Sequence, residues 1–226
     1  MQILRVLIVI AALLACATPV LERVRQEQGG MRDRLVDNVK LRQVTAVNAA
    51  TSIFHAGRVP GGIATKSACS PAAIFGLAAN SNRLGDLLDA ITIADPSFRW
   101  NIRDDVANLT EFGSEETLLD VVIARLNIQG EQTEDSVVSA LLKTTEIEKG
   151  IMSLQLQEGR TEIGLRSLDR PGSPPLENKA FDIHLRDVSL RTALNTVARQ
   201  HGTAVWHYDE RRCNNPHEFS LTFLVW

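Results

Sequence analysis

An ungapped internal repeat constrains this chain more than any other feature. At an offset of 106 residues, Phe75–Ile102 (FGLAANSNRLGDLLDAITIADPSFRWNI) lies over Phe181–Tyr208 (FDIHLRDVSLRTALNTVARQHGTAVWHY). The strict identities are four, Phe75/Phe181, Leu84/Leu190, Leu88/Leu194 and Trp100/Trp206, so the argument rests on pattern. Each copy opens with alternating apolar residues (Phe75, Leu77, Ala79; Phe181, Ile183, Leu185), the period of a half-buried strand. A polar cap follows, Asn82 or Ser189. Apolar residues then recur at helical spacing (Leu84, Leu88, Ile91; Leu190, Leu194, Val197), up to Pro96 in one copy and Gly202 in the other. A second strand carries Trp100 or Trp206. A helix stripe and a sheet face cannot each be buried alone, so strand, helix and strand must pack together. The repeat predicts an α+β fold of two related small βαβ-type modules, with helices packed on mixed sheets. Phe75, Leu84, Leu88, Trp100, Phe181, Leu190, Leu194 and Trp206 are its expected core anchors, the tryptophans dominating burial in each module.

Other segments complete the outline. Apolar residues at helical spacing from Gln43 to Ala56 (Val44, Val47, Ala50, Ile53, Phe54) predict a helix, with Gly57 as its left-handed cap. Leu118–Ile128 is rich in β-branched residues and reads as a strand, although its spacing also fits a helix. Thr133–Ile147 opens with acidic residues and reads as one helix. Phe219, Leu221, Phe223 and Val225 alternate with Ser220, Thr222 and Leu224 as a terminal strand. Pro171, Gly172, Pro174 and Pro175 mark 157–180 as a linker. The expected domains are thus a signal segment at 1–17, a charged tether at 18–42, a first α+β module at 43–156, the linker at 157–180, and a second βαβ-type module at 181–226.

The N-terminus reads as an export signal or anchor helix. Arg5 precedes the apolar run Val6–Leu14, which is shorter than the about 20 residues of a bilayer span. Ala15 and Ala17 form a cleavage site of ordinary type, and Leu13-Leu14-Ala15-Cys16 resembles a bacterial lipobox, in which Cys16 would be acylated. Cleavage leaves Cys69 and Cys213. In an oxidising compartment they allow one disulfide, and two buried thiols fit equally well.

Phe181–Asp209 resembles the short N-terminal domain of secretins and of TonB-dependent receptors and transducers. The likeness rests on Val188, Ser189, Leu190, Ala193, Leu194 and Gly202, which follow that family's strand, "V-S-L-x-x-A-L" helix start and glycine stop; Phe75–Ile102 looks like a more distant relative. The resemblance implies a module on the periplasmic side of a Gram-negative envelope, or anchored to the outer membrane, serving contacts with another envelope protein. It carries no catalytic residue, and no barrel, secretin core or plug follows here.

Local chemistry adds little. Gly57–Ser67 (GRVPGGIATKS) is not a phosphate loop, because Ile63 stands where lysine should follow the second glycine and Lys66 comes too late. His201, His207, Asp209, Cys213 and His217 lie near one another in sequence without zinc-ligand spacing. Asp104/Asp105 and Glu115/Glu116 read as turn or helix-start residues. Asn108-Leu109-Thr110 is a sequon of little meaning in a bacterial envelope, and one tyrosine cannot build the girdles of a barrel ending in Trp226. A net charge of −3 with no block of like charge argues against a nucleic-acid partner. The expectation is a non-enzymatic interaction or accessory module with no metal or cofactor, touching the membrane only through its N-terminal segment. The alternatives are a small secreted hydrolase using His201, His207 or Asp209, and a ligand-binding lipoprotein with a sizeable apolar pocket.

Overall fold

A computed structural model describes residues 30–37, 39, 41–67, 72–77, 82–113, 117–158, 179–211, 213 and 217–225. The expected signal or anchor helix, Cys16, Cys69, Glu115, Glu116, Trp226 and nearly all of the linker lie outside these residues. The chain is α+β with mixed sheets. In order it forms β1 (Leu41–Val44), α1 (Ala46–Gly57), β2 (Gly61–Ser67), β3 (Phe75–Leu77), α2 (Leu84–Ala94), β4 (Phe98–Arg103) and β5 (Val106–Glu111). A 3-10 turn (Leu118–Asp120), β6 (Val122–Gln132), α3 (Glu134–Leu142), α4 (Thr145–Ser153) and β7 (Leu156–Glu158) come next. The described chain closes with β8 (Lys179–Ser189), α5 (Leu190–His201), β9 (Val205–Arg211) and β10 (His217–Leu224).

The main sheet has the strand order β4-β5-β2-β9-β10-β7. Its centre, β5-β2-β9, is parallel; β4 and β10 flank it antiparallel, and β7 lies parallel beside β10. Alternation sends Ile63, Ala107, Leu109 and Val205 to one face, where they pack with Ile53 and Phe54 of α1 and Leu84, Leu88 and Ile91 of α2. Ala64, Trp206, Tyr208, Phe219, Leu221 and Phe223 point to the other, against α5, α3, α4 and the β6–β8 ribbon. One sheet therefore divides two cores. It also runs through both expected modules: β2 pairs with β9 along seven positions, Gly61↔Val205 to Ser67↔Arg211.

The repeated segments share one element order, strand, helix, then hairpin. In each, the first strand pairs outside the main sheet, β3 with β1 and β8 with β6, while the hairpin (β4–β5 or β9–β10) joins it. The Trp100 strand runs opposite to the Trp206 strand, so the two helices cover opposite faces. Two glycines let β2 sit between the cores. A Cβ at Gly61 would meet the Phe54 ring at 2.5 Å, and one at Gly62 would meet the Trp206 ring at 2.2 Å.

Several expectations change in detail. Part of the expected tether belongs to the fold: Val36 and Leu41 are buried, Arg32 pairs with Asp89 at 2.6 Å, and Arg83 with Asp33 at 3.1 Å. Mixed charge there hid the few apolar residues that dock. Helix α1 starts at its Thr45 cap, and the left-handed residue is Arg58 (φ 47°) rather than Gly57. Gly57 serves instead to admit Val36 and Val59, whose methyls would lie 3.0–3.1 Å from its Cβ. Asn82 does not cap α2: the cap position is Arg83, without a side-chain bond, whereas Ser189 accepts from the Thr192 N–H at 3.2 Å. Leu118–Asp120 is a 3-10 turn ahead of β6, and the helix expected over Thr133–Ile147 breaks into α3 and α4 at Lys143 and Thr144. Asp104 and Asp105 (φ 55° and 56°) form the two-residue turn between β4 and β5.

Candidate functional site

Carboxyl ends of adjacent parallel strands, with helices on opposite faces, are where open α/β sheets form crevices. Here β5, β2 and β9 end together, and a cavity of about 160 Å³ opens beside them. Lys66 of β2, Thr110 and Glu111 of β5, Tyr208 of β9, Asp120 of the 3-10 turn and Arg191 of α5 line it. The 3-10 turn is fixed by a capping box in which the Thr117 N–H and hydroxyl both donate to the Asp120 carboxylate, at 3.1 and 2.8 Å.

Electrostatics divide the cleft. Glu111 accepts the Lys66 backbone N–H at 2.7 Å, yet burial outweighs that bond and pushes its carboxyl above the usual range. The Tyr208 hydroxyl donates to Glu210, whose side chain is fully buried. Arg191 donates to the Thr110 hydroxyl at 3.1 Å and stacks over the Trp206 ring, 5.9 Å from its centroid. Burial is the main influence on the guanidinium and holds its pKa below the ordinary value; Asp120 opposes that effect from a distance. Among the described residues Arg191 makes no ion pair.

The tryptophans extend the repeat into hydrogen bonding. Trp100 Nε1 donates to Asp89 at 2.8 Å and Trp206 Nε1 to Asn195 at 2.9 Å, each across eleven residues, and Asp89 and Asn195 are themselves repeat equivalents. A guanidinium covers each ring: Arg32, 5.1 Å from Trp100, and Arg191. The surroundings differ in burial, because Trp206 is fully buried and Trp100 only half-buried. Of the other expected anchors, Leu84, Leu88, Phe181, Leu190 and Leu194 are buried, and Phe75 is half-buried against the α1–α2 core.

The remaining sequence candidates do not converge. His201 ends α5 on one side of the sheet, while His207 and Asp209 lie on the other face of β9. The Asp209 carboxylate accepts from the Thr65 hydroxyl at 2.6 Å and from Arg211 at 2.9 Å. His207 has a buried Nε2 without a partner, and burial holds its pKa below 6.5, partly offset by Asp209. Cys213 is disulfide-bonded, and Cys69 lies outside the described residues. No group of three or more His, Cys, Asp or Glu suited to a metal occurs among the described residues, nor any helix long and apolar enough to cross a membrane. Lys66 sits at the far end of β2 from Gly61 and Gly62, consistent with a strand in place of a phosphate loop. Sequence reasoning missed Arg191, Thr110, Glu111, Asp120 and Tyr208 as neighbours. The available signal was in the repeat itself, where Arg191 stands opposite Gly85 and Asn195 opposite Asp89.

The chain matches no known family model, and neither the curated proteins nor the solved structures contain a significant match.

Proposed function

We propose that this chain is an exported, non-enzymatic envelope protein, an interaction or accessory module built from two related strand–helix–strand units. It would be periplasmic or anchored at the outer membrane, and akin to the short N-terminal domain of secretins and TonB-dependent receptors. The observation that carries the reading is the paired Trp–Asx hydrogen bond, Trp100–Asp89 and Trp206–Asn195, at matching positions of the two units. His201 lies across the sheet from His207 and Asp209, so the three do not form one hydrolase site. The β6–β8 ribbon offers the contact surface: among the described residues it is two-stranded, so both strands present edges to which a partner strand could add.

Expression of the whole chain in a Gram-negative cell, with fractionation and intact mass, tests export. The expected product lies in the envelope and either lacks the signal or begins at an acylated Cys16. Its mass with and without reductant also reports the proposed Cys69–Cys213 bridge. A cytosolic chain that keeps Met1 would overturn export, and crosslinked envelope extracts that return no partner would overturn the interaction role.

A further inference from the structure

Each tryptophan carries a guanidinium, but only one guanidinium bonds a carboxylate directly. Over Trp100, Arg32 bonds Asp89 at 2.6 Å, and that same Asp89 accepts the indole N–H, so charge is balanced locally. In the second unit the equivalent acceptor is the neutral Asn195, and the cation, Arg191, has only the Thr110 hydroxyl as a direct hydrogen-bond partner among the described residues. Arg191 is also better buried and lines the cleft at the carboxyl ends of β5, β2 and β9. Asp120 acts on this guanidinium only through space, and a largely buried guanidinium with no directly bonded carboxylate is costly unless something completes its contacts.

We propose that a small carboxylate-bearing molecule completes them, seated in this cleft with its carboxylate on Arg191. The fork of a guanidinium fits a carboxylate in two-point contact, and Thr110 holds one side of that fork in place. The cavity of about 160 Å³ is small beside ordinary ligand pockets of roughly 300–1,000 Å³, which restricts the occupant to a few heavy atoms or to one end of a longer molecule. Lys66, Glu111 and Asp120 line the cavity with Arg191; two carboxylates against two cations leave no surplus positive charge for a dianion such as phosphate, and favour a single carboxylate. This site goes beyond the proposed interaction role and does not depend on it.

Calorimetric titration of the soluble chain with acetate, propionate and inorganic phosphate, at low ionic strength and neutral pH, tests the assignment. Wild-type protein is expected to bind acetate or propionate with Kd near or below about 1 mM, and phosphate more weakly. Arg191→Gln should weaken carboxylate binding by at least about tenfold, the scale of one lost charged hydrogen-bond pair. Asn195→Asp, which recreates the Asp89 arrangement beside Arg191, should weaken it as well while keeping the cation. Thermal melts establish that each variant is folded. No binding of either carboxylate, tighter binding of phosphate, or unchanged affinity in a folded Arg191→Gln or Asn195→Asp variant would each overturn the proposal.

Discussion

Replacing Gly62 by alanine adds one methyl group on the face of β2 against which Trp206 lies. Its Cβ would fall 2.2 Å from Cε2 and Cζ2 of the indole and 2.6 Å from Nε1, more than 1 Å inside ordinary contact. The ring cannot yield easily, because it is fully buried and Nε1 is tied to Asn195, itself fully buried with its amide donating to the Arg103 carbonyl at 3.4 Å. Overpacking of this kind costs about 1–3 kcal/mol. Pulling the indole from Asn195 strands a buried carbonyl oxygen and adds about 1–3 kcal/mol more. The sum, about 2–6 kcal/mol, is a large part of a typical stability of roughly 5–15 kcal/mol and should lower Tm by about 5–20 °C. Gly76 in β3 provides the control: nothing lies within 4 Å of its Cβ, so Gly76→Ala should be neutral or slightly stabilising. Urea and thermal unfolding of the soluble chain give the comparison. In a Trp206→Leu background the added methyl should cost at least about 1 kcal/mol less, as expected for residues in contact. A Gly62→Ala protein as stable as wild type would show that the ring does not lie on β2 as described.

The two tryptophans should respond unequally to the same change. Trp206→Phe strands the buried Asn195 oxygen and leaves a void, costing about 2–4 kcal/mol, whereas Trp100→Phe leaves Asp89 paired with Arg32 near the surface and should cost under about 1.5 kcal/mol; equal losses in denaturation would contradict the burial difference. His207 should make the fold acid-sensitive. Burial holds its pKa below 6.5, so the unfolded chain takes up the proton first; this contribution to stability is whole above 6.5 and declines as pH falls through that value toward the folded pKa. His207→Leu should flatten the difference between urea midpoints at about pH 7.5 and about pH 5, and a slope unchanged by the substitution would assign the acid sensitivity elsewhere.

What was legible in the sequence was periodicity. The anchors at Leu84, Leu88, Leu190 and Leu194 are buried, and the Ser189 and Gly202 caps stand where propensity put them, because helix stripes and caps are local properties. The α1 boundary, the missing cap on α2 and the split at Lys143 escaped, since each depends on a neighbour distant in sequence or on a single turn. The larger omission was the seam between β2 and β9. Strand pairing across about 140 residues leaves no periodic trace, and Gly61 and Gly62 stand out only as part of a rejected phosphate loop, although they admit Phe54 and Trp206. Val36 and Leu41 were obscured in the same way, two buried residues among charges that stay in solvent.

The cleft follows from the way the two units are turned relative to one another. Had the second hairpin entered the sheet in the same direction as the first, its tryptophan strand would run against β2, and the three carboxyl ends would not meet. Turning the second unit over makes β9 parallel to β2 and sends α5 to the opposite face from α2, which brings the first turn of α5 to the crevice. Two side-chain differences at repeat-equivalent positions then decide its character. Arginine at 191, where the first unit has Gly85, puts the cation on the cleft wall; asparagine at 195, where the first unit has Asp89, keeps the tryptophan bond and removes the internal counter-charge. Packing alone does not require either difference, since the first unit closes over Trp100 with a glycine, an aspartate and an arginine from elsewhere in the chain. The second unit thus keeps the element order of the first while placing the Arg191 cation on the cleft wall.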